Sequence, residues 1–230
     1  MEIYDFRARS FKWRLYGGHN SIEKYLLSEI ERNHANNVFI ITSRSISLRT
    51  KLIQRIQETL GEKYAGAYTA IQKDSSYSSV LEATQAARQA NADLLIAIGG
   101  GSVIVAARAV NIFLCEDSNP LQLMTQYPSD KPAYSPRLLK QKLPTINIPT
   151  TPTSAMNRAG TGLKNDELEQ RMEYFDPKTR KRYYYMYGPP EYEYVDSNYV
   201  VYKKKRRLIP SSGDDIYDNN GKLDVDTGFD

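Results

Sequence analysis

Three glycines and a serine, Gly99-Gly100-Gly101-Ser102, stand between the aliphatic run Leu94-Leu95-Ile96-Ala97-Ile98 and a second apolar stretch at 103–110. A buried strand that turns through glycines into a helix lets bare backbone approach a ligand. The amides of that helix's first turn carry partial positive charge and suit a diphosphate. The place is also right, because ligands of open α/β sheets bind beyond the carboxyl ends of strands. A single glycine suffices for a tight turn, so a turn with no ligand is the competing reading. The run is neither G-x-G-x-x-G nor a P-loop, since no Gly-Lys-Ser or Gly-Lys-Thr follows it. A second cluster, Pro149-Thr150-Thr151-Pro152-Thr153-Ser154, sets four hydroxyls in five residues just past another strand candidate at 145–148. It reads either as the lining of a nucleotide cleft or as an ordinary Ser/Thr/Pro loop.

Alternating strands and helices must hold these clusters. Asn20 with Glu23 three residues on makes a capping box, ahead of a stripe of Ile22, Tyr25, Leu26 and Ile30. The β-branched run 38–41 predicts a buried strand. Leu48, Leu52, Ile53, Ile56 and Leu60 then repeat at helical spacing, and Gly61 supplies a stop. A weaker strand is expected at 67–71, followed by a helix whose face is Val80, Ala83, Ala87 and Ala90. Residues 116–144 hold five of the 11 prolines and predict a long, broken connection. The order implies right-handed βαβ units. The expected class is α/β, a Rossmann-like parallel sheet with helices on both faces, followed by an irregular or β-rich tail.

Composition sets the remaining bounds. The chain has 230 residues, 40% hydrophobic and 25% charged, with a net charge of +4, too weak to argue for nucleic acid by itself. No aliphatic run approaches the roughly 20 residues of a membrane helix. The one cysteine, Cys115, leaves no disulfide framework, and His19 and His34 are the only histidines. These counts point to the cytoplasm. Nine of the 18 tyrosines follow Arg180, together with the basic run Lys203-Lys204-Lys205-Arg206-Arg207 and an acidic end. We therefore expect a dinucleotide-binding α/β domain over 1–180 and an unrelated Tyr-rich, charged tail over 181–230, with possible strands at 181–185 and 192–202. The basic run reads mainly as a solvated charge run, so nucleic acid is an unlikely partner. The stretch 216–227 fails as a calcium loop because Thr227 stands at the twelfth position. His34 reads as a surface residue at a helix end, His19 as a turn residue, and Cys115 as a small hydrophobe.

The segments V-F-I-I-T-S (38–43), A-D-L-L-I-A-I-G-G-G-S (92–102) and I-N-I-P-T-T (146–151), in this order, resemble the iron-containing alcohol dehydrogenase family over about residues 10 to 180. The match corresponds to that family's N-terminal nucleotide-binding domain. The resemblance implies reversible hydride transfer between NAD or NADP and an alcohol or aldehyde. It implies that Gly99, Gly100, Gly101 and Ser102 hold the pyrophosphate. Thr150 and Thr151 would then border the adenine and ribose, with Thr153 and Ser154 toward the nicotinamide. Ser43 falls where many members carry an Asp for the ribose hydroxyls. With Arg44 and Arg49 nearby, it favours the 2′-phosphate of NADP. Two departures stand out: Val105 replaces an Asp in Gly-Gly-Gly-Ser-x-x-Asp, and Pro-Thr-Thr continues as Pro-Thr-Ser-Ala-Met-Asn. The family's iron or zinc is held by one Asp and three His from a C-terminal domain. His19 and His34 cannot supply three histidines, so the metal ligands are expected to be absent and this chain alone is not expected to turn over. A truncation, a frameshift or an insertion would explain the tail. The remaining readings are a non-catalytic nucleotide-binding module, a homodimer or completing chain, and a nucleic-acid role for the basic run.

Overall fold

The computed structural model describes residues 14–165, 167–168, 171–176 and 183–186. Expectations for 192–202, for the basic run 203–207 and for 216–227 lie outside these residues. Six parallel strands form one sheet in the order β1 (Leu15–Tyr16), β8 (Tyr183–Met186), β5 (Thr145–Pro149), β4 (Leu94–Gly99), β2 (Val38–Thr42), β3 (Tyr64–Tyr68). β2 and β4 carry unbroken apolar runs over 38–41 and 94–98, as a sheet covered on both faces favours, while the neighbouring β5 also buries Thr145 and Asn147. Side chains alternate between the faces. Val38, Ile40, Leu94, Ile96, Ile98, Ile146 and Ile148 pack under α1 (Ser21–Arg32) and α3 (Leu52–Leu60). On the other face Phe39, Ile41, Leu95 and Ala97 meet α4 (Tyr77–Gln89) and α5 (Gly101–Cys115). A short helix α6 (Pro120–Leu123) interrupts the proline-rich connection. A separate antiparallel pair, β6 (Gly160–Leu163) and β7 (Met172–Phe175), lays Leu163, Met172 and Tyr174 on the α5 side.

The α/β class and the parallel sheet are as expected. Several local expectations shift. The helix predicted from Leu48 to Leu60 is two helices, α2 (Arg44–Arg49) and α3, because Thr50 is extended between them; Leu48 is 72% exposed and belongs to no core stripe. Asn20 does precede α1, but its left-handed backbone leaves its side chain without a cap bond, and Glu23 pairs with Arg55 at 2.6 Å instead. The strand expected at 67–71 runs three residues earlier, because pairing with β2 starts at Tyr64 opposite Val38. Ile71, past its end, is buried as loop. The strand foreseen around 181–185 appears as β8. It sits between β5 and β1, so four residues beyond Arg180 belong to the sheet.

Candidate functional site

The glycine run closes β4 and opens α5. Gly99 has φ +155°, and a Cβ there would lie 2.7 Å from Val103 Cγ2, so the position admits no side chain without rearrangement. The Gly100 carbonyl accepts from the amides of Val103 (3.1 Å) and Ile104 (3.2 Å). The amides of Gly101 and Ser102 are left at the open end of the helix, with no acceptor among the described residues.

The hydroxyl cluster comes to the same turn. Register sets Pro149 beside Gly99, and the Thr150 amide donates to the Gly99 carbonyl at 3.1 Å. A Cβ on Gly100 would meet Thr151 Oγ1 at 3.0 Å, and one on Gly101 would meet Thr153 Oγ1 at 3.0 Å. Thr153 Oγ1 also accepts from the Ala155 amide at 3.1 Å, capping a short 3-10 turn over Ser154–Asn157. This loop is pinned from below. Arg108, buried two turns along α5, donates to the Ala155 carbonyl and, at 2.5 Å, to the Gly160 carbonyl. One helix therefore supplies the open amides and also positions the threonines beside them.

A cleft of about 350 Å³ opens on the outer side of the turn, between the start of α2 and the loop after β3. Ser43, Arg44 and Ser45 form one wall, Gln72 and Lys73 the other, and Gly100, Gly101 and Ser102 the base. The volume is within the roughly 300–1,000 Å³ usual for small-molecule sites. Thr42 Oγ1 donates to the Ile98 carbonyl at 2.7 Å, tying the β2 and β4 ends together beneath the cleft. The loop is anchored at both ends. The Ile71 amide donates to the Thr42 carbonyl at 3.1 Å, the Asp74 amide to Ser102 Oγ at 3.3 Å, and Ser75 Oγ to the Ser102 carbonyl at 2.7 Å. Asp74 and Ser75 both have left-handed backbones, φ 60° and 55°, which is unusual for two successive residues other than glycine.

The expected site residues thus fall into three groups. Ser43, Gly100, Gly101 and Ser102 line the cleft. Thr151 and Thr153 flank the turn through their hydroxyls, Thr150 through its amide, and Gly99 lies buried under it. Ser154 is half-buried in the 3-10 turn, and Arg49 ends α2 without lining the cleft. Val105, where the resemblance led us to look for an Asp, is half-buried against the core, and its carbonyl accepts from Thr161 Oγ1 at 2.8 Å. Sequence reasoning did not pick out Lys73, Ser75 or Arg108. Arg108 had a usable signal, a lone cation inside the apolar run 103–110; the loop 72–76 is polar throughout and has no period to reveal its contacts.

The other buried charges are far more enclosed. Lys142 Nζ sits 2.6 Å from Glu116 Oε1 and 3.0 Å from Asp176 Oδ2, and donates to the Lys140 carbonyl. Beside it Cys115 Sγ donates to Asn111 Oδ1 at 3.4 Å, and burial pushes the thiol pKa up against the opposing pull of Lys142. A metal does not fit the described residues. His19 and His34 lie beyond the two ends of α1, whose 12 residues alone span about 18 Å. No cluster of three or more His, Cys, Asp or Glu could hold an ion among the described residues. Nor is any helix among them long and apolar enough to cross a membrane.

A parallel sheet whose central strand turns through glycines into a helix, with threonines against the turn and a cleft beside it, defines a Rossmann-like α/β domain. The chain belongs to the iron-containing alcohol dehydrogenase family, an oxidoreductase family whose model matches residues 14–184. It is 26% identical over 144 residues to the dehydrogenase FUM7 of Gibberella moniliformis, covering 60% of this chain and 34% of that protein. It is 33% identical over 109 residues to maleylacetate reductase 2 of Cupriavidus pinatubonensis, covering 47% and 29%. The sulfoacetaldehyde reductase of Bifidobacterium kashiwanohense, solved in complex with NAD+, shares the fold at a TM-score of 0.64 and 15% identity, covering 84% of this chain and 48% of that one. The chain spans about a third of the length of the curated relatives it matches.

Proposed function

We propose that this chain is the cofactor-holding half of an NAD(P)-dependent alcohol dehydrogenase or reductase. The observation that carries the reading is the meeting of two motifs some fifty residues apart: Thr151 and Thr153 stand against Gly100 and Gly101, at the open end of α5 and beside the cleft. A methyl group at either glycine would fill the approach, which is how a backbone surface for a diphosphate differs from a plain turn. In this reading the amides of Gly101 and Ser102 hold the bridging phosphates, and Thr150 and Thr151 border the adenosine side. Thr153 and Ser154 lie toward the nicotinamide. The bound nicotinamide supplies hydride transfer to or from an alcohol or aldehyde carbon. At the ribose end, Ser43 and Arg44 favour NADP: Arg44 can bond a 2′-phosphate, and no carboxylate is among the cleft-lining residues to repel one.

The described residues do not fit a catalytic metal, so no step of the chemistry is derived through one. This observation favours a second reading, a nucleotide-binding module that turns over substrate only with a homodimer partner or another chain that completes the site. The single cysteine suits the cytoplasm. Fluorescence titration of NADH and NADPH, with and without ferrous iron, followed by alcohol addition, tests both. Saturable NADPH binding without alcohol oxidation supports the module; oxidation on adding iron supports the complete enzyme. Absence of binding by either dinucleotide refutes the proposal.

A further inference from the structure

The cleft wall opposite Ser43 carries a group to which the family resemblance gives no role. Lys73 faces the same cleft as Arg44, with the glycine turn between them. Neither cation has an ion-pair partner among the described residues. Asp74, the neighbour in sequence, is not among the lining residues, and no other carboxylate is. Both cations are exposed on the lining of one cleft, so an anion that enters it can be met from both walls. Ser43 and Ser45, with hydroxyls 3.0 Å apart, add neutral donors and acceptors but no negative charge. The ribose hydroxyls of NAD would call for a carboxylate acceptor at such a site. A phosphomonoester, with a charge of about −1.5 to −2 at neutral pH and three acceptor oxygens, matches the lining instead.

The backbone that carries Lys73 is fixed to both walls. Its loop begins with the Ile71 amide on the Thr42 carbonyl, one residue before Ser43. It ends with Asp74 and Ser75 held on Ser102, inside the first turn of α5. Lys73 is therefore attached to a backbone docked on the two elements that carry the other lining groups. Arg44 begins α2 on the opposite wall.

We propose that Lys73 is a specificity-determining residue, which with Arg44 clamps the 2′-phosphate and makes the site selective for NADP(H) over NAD(H). The inference rests on the dinucleotide reading above, and its test separates the two. NADPH and NADH are titrated against the full chain and against Lys73→Ala and Lys73→Glu, with adenosine 2′,5′-bisphosphate and ADP as competing probes. Lys73 is exposed, so both variants should melt like the parent. Lys73→Ala should weaken NADPH and the 2′,5′-bisphosphate by about tenfold, the size expected for one charge-assisted bond, and leave NADH and ADP within about twofold. Lys73→Glu should lower NADPH affinity further and close the gap between the two dinucleotides. Equal losses for NADPH and NADH would place Lys73 on the pyrophosphate and overturn the proposal. NADPH binding that ignores both substitutions would overturn it while leaving the dinucleotide reading standing. Failure of the parent chain to bind any of the four probes would overturn both.

Discussion

The glycine run makes two separable demands, and alanine at two of its positions should separate them. At Gly99 the demand is internal. Its φ of +155° lies where side-chain-bearing residues are strained by about 1–3 kcal/mol. A methyl there would also lie 2.7 Å from Val103 Cγ2 and 2.9 Å from Val103 Cβ. Val103 is 3% exposed and β-branched on a helix, so its side chain has no other rotamer to turn to. Overpacking of that kind costs about 1–3 kcal/mol more. Gly99→Ala should then lose about 4 kcal/mol, or about 8–16 °C in Tm for a domain of this size. At Gly101 the demand is external. Its backbone is helical, where alanine is favoured over glycine by up to about 1 kcal/mol. The new methyl would need only a small movement of Thr153 Oγ1, 3.0 Å away. Gly101→Ala should melt within about 1 kcal/mol of the parent, yet bind NADPH at least tenfold more weakly, because the methyl occupies the phosphate approach. Thermal melts by circular dichroism and fluorescence titration of the same samples measure the two effects. Undiminished NADPH binding by Gly101→Ala would refute the backbone-approach argument. A Tm for Gly99→Ala within 2 °C of the parent would refute the packing argument.

Elsewhere, Lys142→Met should cost about 3–5 kcal/mol, seen as a fall in Tm near 10 °C, since it leaves Glu116 and Asp176 without the cation between them. Adding Asp176→Asn should recover part of that loss; no recovery would mean that lost packing, and not charge, is the cause. The half-buried Cys115 thiol has a raised pKa, so at pH 8.5 less of it is thiolate than in a free thiol. Iodoacetamide should therefore label it more slowly than glutathione at that pH, and at the ordinary rate in denaturant. By linkage, this thiol's contribution to stability is complete below the unfolded pKa and declines as pH rises through the folded one. Labelling of the folded chain at the glutathione rate would contradict its burial.

How far the sequence anticipates this molecule depends on which force places each residue. The runs 38–41 and 94–98 read correctly as strands because central parallel strands are apolar on both faces, whereas 145–148 is apolar on one face only, through Ile146 and Ile148, and buries Thr145 and Asn147 on the other. The small-residue face of Val80, Ala83, Ala87 and Ala90 was equally plain: the first three are fully buried, and Ala90, at the C-cap of α4, is half-buried. Leu48 misled because its spacing from Leu52 is helical while Thr50 breaks the helix between them, a local backbone choice that hydrophobic period does not report. Asn20 misled for a related reason: residue type suggested a side-chain cap, and the left-handed backbone prevents it. At the site, the glycines and threonines stood out by type. Their contact could only be inferred from fold class, because it depends on the register of β4 with β5. Lys73 and Arg108 act through tertiary placement, one across a cleft and one beneath a loop.

That placement ties the site's geometry to folding itself. α5 is the most buried helix described, with ten of its residues in the interior, and it contributes the open amides at its start and the Arg108 guanidinium two turns on. A cradle built on mobile loops would pay an ordering cost when ligand arrives; here β4, β5 and α5 meet that cost as the core forms. The pair β6–β7 is tied to this unit through Arg108 on the Gly160 carbonyl, Thr161 on the Val105 carbonyl and Tyr174, where burial raises the phenol's pKa, whereas the proline-rich connection 116–144 reaches it through Lys142. Loosening that connection should lower stability and leave dinucleotide affinity nearly unchanged once the chain is folded. Substitutions in α5's first turn should do the reverse. In the proposed reading every group assigned to the pyrophosphate sits at the end of β4, in the first turn of α5 or in the loop after β5, so its geometry follows from how these three elements pack.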